Sequence, residues 1–119
     1  MEKINLKDKF NLITDFWSPA LIGELNDQAV KIAKFKGEFP MHHHENEDEL
    51  FLVIKGKCFL ETENKTVELN VGEMCIVPKG MAHRPYSTEE AHVLMFEPLS
   101  TINTGNIENE YTKRDLKKI

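Results

Sequence analysis

Three consecutive histidines, His42, His43 and His44, are the residues of this sequence whose type and spacing best suit metal chemistry. In an extended chain the side chains alternate, so His42 and His44 point to the same side while His43 points away. A polar turn after the histidines can bring the carboxylate of Glu49 back beside the two imidazoles. One more ligand has to come from elsewhere in the chain, and His83, which follows a turn-forming Pro-Lys-Gly, is the obvious source.

A set of three neutral imidazoles and one carboxylate suits a divalent transition metal, which here means Mn, Fe, Ni, Co, Cu or Zn. The set leaves one or two coordination positions open to water or to a substrate. Open positions are what metal-assisted chemistry requires, whereas a structural metal site is closed. The sequence therefore predicts a metal site in which His42, His44, Glu49 and His83 are the ligands.

The elements that must position these residues are short strands. Apolar segments of about five residues recur at about ten-residue spacing, separated by turn residues, and this pattern is typical of an all-β sandwich or barrel. The predicted strands cover residues 21–25, 29–35, 50–55, 57–63, 66–70, 73–78 and 92–96. Residues 1–19 are expected to form a short helix or an extra strand, and residues 99–119 a polar, partly ordered tail.

Strand alternation also assigns the neighbours of Glu49. Phe51 and Val53 share its face and are expected to line the floor of the pocket. Leu50 and Leu52 face the other way, so the strand is apolar on both faces. Both faces must therefore be buried, against a second sheet or a partner subunit. His92, in the last clear strand, is expected to be a core or surface residue and not a catalytic acid or base.

Length, composition and charge exclude several classes of protein. A chain of 119 residues with 40% hydrophobic residues fits one domain, 1–119, with a modest core. Its net charge of −5 would repel phosphate backbones, so nucleic acid is a poor partner. No apolar run approaches the length of a membrane span, and the first ten residues lack an apolar signal core. The default expectation is a cytoplasmic protein in which Cys58 and Cys75 are plain packing residues.

Two stretches of the sequence resemble the two motifs of the cupin family. The first motif is matched by His42-x-His44, four residues, Glu49, six residues and Gly56, although Gly37 precedes His42 by four residues where the family has five. The second motif is matched by the following positions, with Ser87 where the family has Asn: Gly72, Pro78, Gly80 and His83. The short spacing between the motifs, residues 57–71, looks like that of small microbial cupins.

The resemblance implies a small barrel of two antiparallel sheets, a double-stranded β-helix, with the metal in its mouth. The motif core would span residues 37–98, and the whole chain resembles single-domain cupin-2 proteins that end in a FEP segment followed by a TxNTGN stretch. Gly56, Gly72 and Gly80 are expected to be turn glycines with unusual backbone angles. Because small cupins commonly dimerise, the resemblance also implies a homodimer.

The histidine run has simpler explanations, which the resemblance weakens. A purification tag would be longer and terminal. A solvated loop is the general expectation for HHHENEDE, and the spacing of His83 is what favours metal ligation over it. His43 is expected at the surface or in an interface, and the acidic residues after His44 in a solvated turn.

The sequence does not identify the reaction that this protein would catalyse. Cupin relatives include dioxygenases, sugar-phosphate isomerases, decarboxylases and oxalate-degrading enzymes, while others hold a small molecule without turning it over. An isomerase would need basic groups for a phosphate, and the pocket segments offer only Lys34, Lys79 and Arg84. The sequence thus predicts a metal-binding protein that acts on or binds a small molecule, either as an enzyme or as a binding module, with no catalytic residue assigned.

Overall fold

The architecture is almost entirely β, with one short helix at the N-terminal end. A computed structural model describes all residues, 1–119. Its elements in chain order are α1 (Leu6–Phe10), β1 (Ala20–Leu25), β2 (Gln28–Glu38), β3 (Glu49–Lys55), β4 (Cys58–Glu61), β5 (Thr66–Leu69), β6 (Met74–Val77), β7 (Arg84–Pro98) and β8 (Lys117–Lys118).

Two long strands, β2 and β7, pair with each other and connect the two layers of the fold. The hydrogen-bonded order is β5-β4-β7-β2-β1-β8, and β3 pairs with both β6 and β7. The first residues of β7 pair with β4, whereas its second half, from His92 to Phe96, pairs with β3. Between Ala91 and Ser87 the register with β2 shifts, and exposed residues 88–90 bulge outward. At this bulge the second pairing partner of β7 changes from β4 to β3.

The hairpin between β1 and β2 follows from its two turn residues. Asn26 and Asp27 both have positive φ, 48° and 64°, and Leu25 faces Gln28 across a two-residue loop. Such a turn matches the twist of the flanking strands and needs residues that tolerate left-handed backbone, among which Asn and Asp are favoured.

The main hydrophobic core lies between the layers, and a smaller one lies outside them. Inward-facing residues such as Phe51, Val53 and Val93 fill the interior. Helix α1 covers part of the outer sheet face, where Phe10 packs in a cluster with Ile32. The chain then continues to the barrel mouth, where Trp17 stacks on Phe35 at 4.3 Å between ring centroids.

The structure confirms the all-β, cupin-type fold and the segments named from the sequence, with two differences. Residues 6–10 form a short helix, one of the two forms expected for residues 1–19, and Asn5 caps it by accepting a hydrogen bond from the Asp8 amide. Strand β7 begins at Arg84 and not near His92; the sequence does not show this start because Pro85 and the polar run 87–90 interrupt the apolar alternation of the strand. The two-residue strand β8 pairs in parallel with β1, unlike every other strand pair. The single helix, α1, has five residues, which is too few for a membrane-spanning helix.

Candidate metal centre

The predicted ligands are held at the barrel mouth by backbone hydrogen bonds between separate segments. His42 and His83 form an isolated antiparallel bridge, in which each amide donates to the other's carbonyl, at 3.0 and 2.8 Å. The Gly80 amide donates to the carbonyl of His44 at 2.7 Å. Glu49 is the first residue of β3. Loop and strand backbones therefore fix all four side chains relative to one another.

The four side chains converge in one buried cluster. Their potential ligand atoms all lie within 4.8 Å of one another. His83 Nε2 lies 3.1 Å from Glu49 Oε1, and His44 Nε2 lies 3.5 Å from the same oxygen. All four residues are at most 4% exposed, so this is an interior site and not an acidic surface loop.

Hydrogen bonds behind the imidazoles leave nitrogen lone pairs facing the cluster. His42 Nδ1 lies 2.8 Å from the Pro40 carbonyl, and His83 Nδ1 lies 2.9 Å from the Met81 carbonyl. A carbonyl only accepts, so each Nδ1 is the protonated donor, and in the neutral form of each ring the Nε2 lone pair is available to a metal. Carbonyl partners of this kind orient metal-binding histidines in known sites.

His44 gives the clearest sign that the cluster fits a cation. Its Nε2 is buried and has no hydrogen-bond partner within the protein. Unsatisfied buried nitrogen is costly, and such groups in native proteins call for an explanation such as an ion or water. Three imidazoles and one carboxylate also match the donor preference of divalent transition metals, so the residues present fit a metal.

Burial and mutual repulsion keep the site in the protonation state that metal binding requires. Burial, together with the nearby His83, lowers the pKa of His42 to about 4, so its imidazole is neutral at pH 7. Burial by itself would raise the pKa of Glu49, but its interactions with His44 and His83 hold that pKa well below the usual range. The site therefore offers a neutral imidazole and an ionised carboxylate.

The lowered pKa of His42 predicts a loss of stability in mild acid. Between pH 6.5 and about 4 the unfolded chain protonates this histidine while the folded chain resists, so the unfolded state binds more protons. The stability that His42 contributes to the metal-free protein, about 3 kcal/mol, should be full above pH 6.5 and be lost towards pH 4. In urea unfolding across this range, the stability difference between the parent and His42→Gln should therefore shrink as the pH falls. An unchanged profile in that variant would contradict the assignment, and His43→Ala, with the imidazole outside the cluster, serves as the control.

A small cavity adjoins the cluster and is lined by both polar and aromatic residues. It has a volume of about 30 Å³, and His42 and Glu49 form part of its wall. Lys31 and Glu97, two buried residues on facing strands, also line it. Lys31 Nζ donates to Glu97 Oε2 at 3.2 Å and to the Thr101 carbonyl at 3.1 Å.

The carboxyl of Glu97 lies close to Glu49 and is strongly affected by it. Burial and the negative charge of Glu49 raise the pKa of Glu97 well above its usual range, and Lys31 offsets this only in part. Sequence reasoning did not identify Lys31 or Glu97 as site residues. Their inward direction follows from strand alternation, but alternation alone does not say that a polar residue is inside.

The C-terminal segment packs directly on the histidine loop. The Asn106 amide donates to the His43 carbonyl at 2.9 Å, and the His43 amide donates to Asn106 Oδ1 at 2.8 Å. Thr104 is completely buried, and Lys113 and Leu116 reach the cavity wall. The TINTGN stretch is thus a structural part of the candidate site.

Other residues named from the sequence lie away from the ligand cluster. His43 points away from the cluster, as predicted, and contacts Glu45. His92 stacks on Phe10 at 4.6 Å between ring centroids, on the outer face. Phe51 lines the cavity, whereas Val53 lies deeper in the core.

The remaining motif residues have structural roles. Gly56, Gly72 and Gly80 have φ between 80° and 83°, which confirms them as turn glycines. Ser87, at the position of the family's Asn, is buried, and its hydroxyl donates to the Lys57 carbonyl at 2.8 Å. Cys58 and Cys75 are both free thiols, and burial raises the pKa of Cys58 to about 12. Neither thiol is ionised at neutral pH, in agreement with a packing role.

Strands, motif glycines and the converging histidines together define a cupin. The family described as "Cupin domain" matches residues 30–97, which is more than half of the chain. The chain therefore belongs to the cupin family.

Three similar proteins show how far this family relationship extends. A cupin-2 domain protein from Shewanella frigidimarina is 40% identical, with a TM-score of 0.79 over 80% of this chain and 93% of that one. Protein NMB1881 from Neisseria meningitidis is 26% identical, with a TM-score of 0.76 over 82% and 99%. The uncharacterized protein YdbB of Bacillus subtilis is 40% identical over 67 residues, which are 56% of this chain and 59% of that protein.

Proposed function

We propose that this protein binds a divalent transition metal through His42, His44, Glu49 and His83 and holds a small molecule in the adjoining cavity. The observation that carries the proposal is the buried, unpartnered Nε2 of His44 inside a cluster whose other members already face it. Mn, Fe, Ni, Co, Cu and Zn all accept such a donor set.

The cavity beside the cluster supports ligand binding at the metal in preference to a purely structural site. It borders His42 and Glu49, so a molecule in it would lie next to the metal's remaining coordination positions. When bound, a metal of this kind supplies Lewis acidity or, for redox-active ions, activation of dioxygen. The chain's own contribution is to orient the ligands, exclude water with aromatic walls and present Lys31 beside the bound molecule.

Two functional classes remain within this proposal: a metalloenzyme of the dioxygenase-like or isomerase-like kind, and a binding protein without turnover. The basic residues considered for a sugar phosphate do not line the cavity. Lys34 donates to the Ile13 carbonyl, Arg84 pairs with Glu61, and Lys79 is exposed. Lys31 and Lys113 line the cavity instead, so the basic groups near an anionic substrate would come from these two positions.

Elemental analysis of tag-free protein, purified after growth with added trace metals, tests the proposal. We expect close to one transition-metal ion per chain, and saturable uptake of Co²⁺ by protein stripped with a chelator. Folded protein that takes up no metal under either condition would contradict the proposal.

The homodimer stays a prediction, and the structure supplies a candidate face for it. Ile76, Leu50 and Phe96 form one apolar row across β6, β3 and β7, and Met74 and Leu52 belong to the next. Met74 and Ile76 are 51% and 58% exposed.

Light scattering should give the mass of two chains for the parent and of one chain for Ile76→Lys, because a buried unpaired charge opposes association. Leu12→Lys, at another exposed apolar residue, should remain dimeric. A monomeric parent would contradict the prediction.

A further inference from the structure

The cavity beside the ligand cluster carries a charge that favours anions once a metal is bound. Its charged lining residues are Lys31, Lys113, Glu49 and Glu97. Lys113 is exposed, so solvent screens its charge, and among the buried groups Lys31 opposes at most two carboxylates. With neutral histidine ligands, a divalent cation then leaves these buried groups with a net charge of at least about +1, which a buried anion would offset.

Two polar groups on the cavity wall have hydrogen-bonding capacity that the protein does not use. The ammonium of Lys31 has three donors, of which Glu97 and the Thr101 carbonyl take two. Thr101 also lines the cavity, and its Oγ1 is buried without any hydrogen-bond partner. These residues are adjacent, since Lys31 bonds to the backbone of Thr101. Together they offer one N–H and one O–H in the cavity that adjoins the ligand cluster.

The size and walls of the cavity limit what can occupy it. A volume of about 30 Å³ accommodates about two water-sized groups, which is the size of a carboxylate. Trp17, Phe35 and Phe39 form an apolar wall that suits a short hydrocarbon part.

From this charge, these donors and this volume we infer that the cavity binds a small carboxylate, with Lys31 and Thr101 as the residues that recognise its oxygens. The inference rests on the proposed metal site, because the metal supplies the excess positive charge. Charge-assisted hydrogen bonds to a carboxylate are among the stronger ones in proteins, so these two residues set a preference for the ionised ligand.

Acetate and acetamide form a test pair that is matched in shape and differs in charge. Each is titrated into Co²⁺-loaded protein at pH 7 and constant ionic strength, and paramagnetic broadening of its methyl proton resonance reports binding near the metal. We expect acetate to bind about 10- to 100-fold more tightly than acetamide, the range that a hydrogen bond to a charged group contributes. Equal affinities for the two ligands would overturn the inference.

Variants of Lys31 and Thr101 then test whether these two residues cause the preference for acetate over acetamide. Lys31→Met should remove most of the preference and Thr101→Val part of it, while both variants keep one Co²⁺ per chain. Thr101→Val is nearly isosteric and removes a hydroxyl that has no partner, so it tests the inference even if Lys31→Met unfolds by leaving Glu97 unpaired. Lys36→Met, the same substitution at an exposed residue of β2, should leave the preference intact.

The outcomes separate this inference from the proposed metal site. A Co²⁺-loaded Thr101→Val protein with an undiminished acetate preference would overturn the role of Thr101, and the same result in folded Lys31→Met would overturn the role of Lys31. Failure of the parent to take up Co²⁺ would contradict the metal site itself, and the carboxylate inference with it.

Discussion

Replacing His44 by alanine is expected to abolish stoichiometric metal uptake while leaving the metal-free protein folded. The His44 Nε2 atom makes no hydrogen bond in the protein, and its contact with Glu49 Oε1 is long, at 3.5 Å, so its removal should cost the metal-free protein little. It does remove one of four ligands, and we expect metal affinity to fall by more than about 100-fold, beyond what loss of a supporting hydrogen bond typically costs. Elemental analysis and Co²⁺ titration measure the loss.

The neighbouring residue supplies a matched control in the same loop. His43 points away from the cluster and contacts the side chain of Glu45 at the surface. His43→Ala should therefore keep the metal. Added Co²⁺ at about 100 times its dissociation constant should stabilise His43→Ala by about 2.7 kcal/mol, as expected for a ligand that binds only the folded state, and should leave His44→Ala unchanged. Similar metal uptake by the two variants would show that alternation in the histidine run does not define the site.

The cluster of His42, His44, Glu49 and His83 could be predicted from the sequence because its geometry is largely local. Side-chain alternation separates His43 from His42 and His44, and the spacing of Glu49 and His83 within two recognisable motifs links the remaining ligands to them. The structure places these four side chains together in one buried cluster. The motifs work as signals because each contains turn glycines that fix where the strands end.

The rest of the cavity could not be predicted because it depends on long-range pairing. Lys31 meets Glu97 only because β2 and β7 pair over most of their length, and neither residue lies in a motif position. Charged residues are rarely buried, so a lysine in an alternating strand is normally assigned to the solvent side. Thr101 enters the site through the path of the C-terminal segment, which no local pattern specifies.

The fold class could be predicted for a similar reason, whereas the strand boundaries could be predicted less well. Short strands with turn signals identify an all-β chain, and the Asn26-Asp27 turn marks the first hairpin. The full length of β7 was not visible, since its polar bulge looks like a loop until the pairing with β2 is known.

Gly105→Ala is expected to cause a large loss of stability although Gly105 lies outside the ligand cluster. Gly105 has φ of 56°, and an added Cβ would lie 2.1 Å from the His43 carbonyl oxygen. Left-handed backbone costs a residue with a Cβ about 1–2 kcal/mol, and forced overpacking adds about 1–3 kcal/mol. The obstacle is a backbone atom, so it cannot be relieved by a rotamer change. We expect a loss of about 2–5 kcal/mol, measured by urea unfolding of the metal-free protein.

Gly72→Ala separates strain from steric clash. Gly72 also has positive φ, 83°, but an added Cβ there would meet nothing within 4 Å, so only the cost of about 1–2 kcal/mol for the backbone conformation should remain. Gly105→Ala should in addition weaken metal binding, because relief of its clash must move His43 and hence the ligands on either side of it. Equal stability losses in the two variants, with metal affinity unchanged in both, would mean that the C-terminal segment can shift without disturbing the histidine loop.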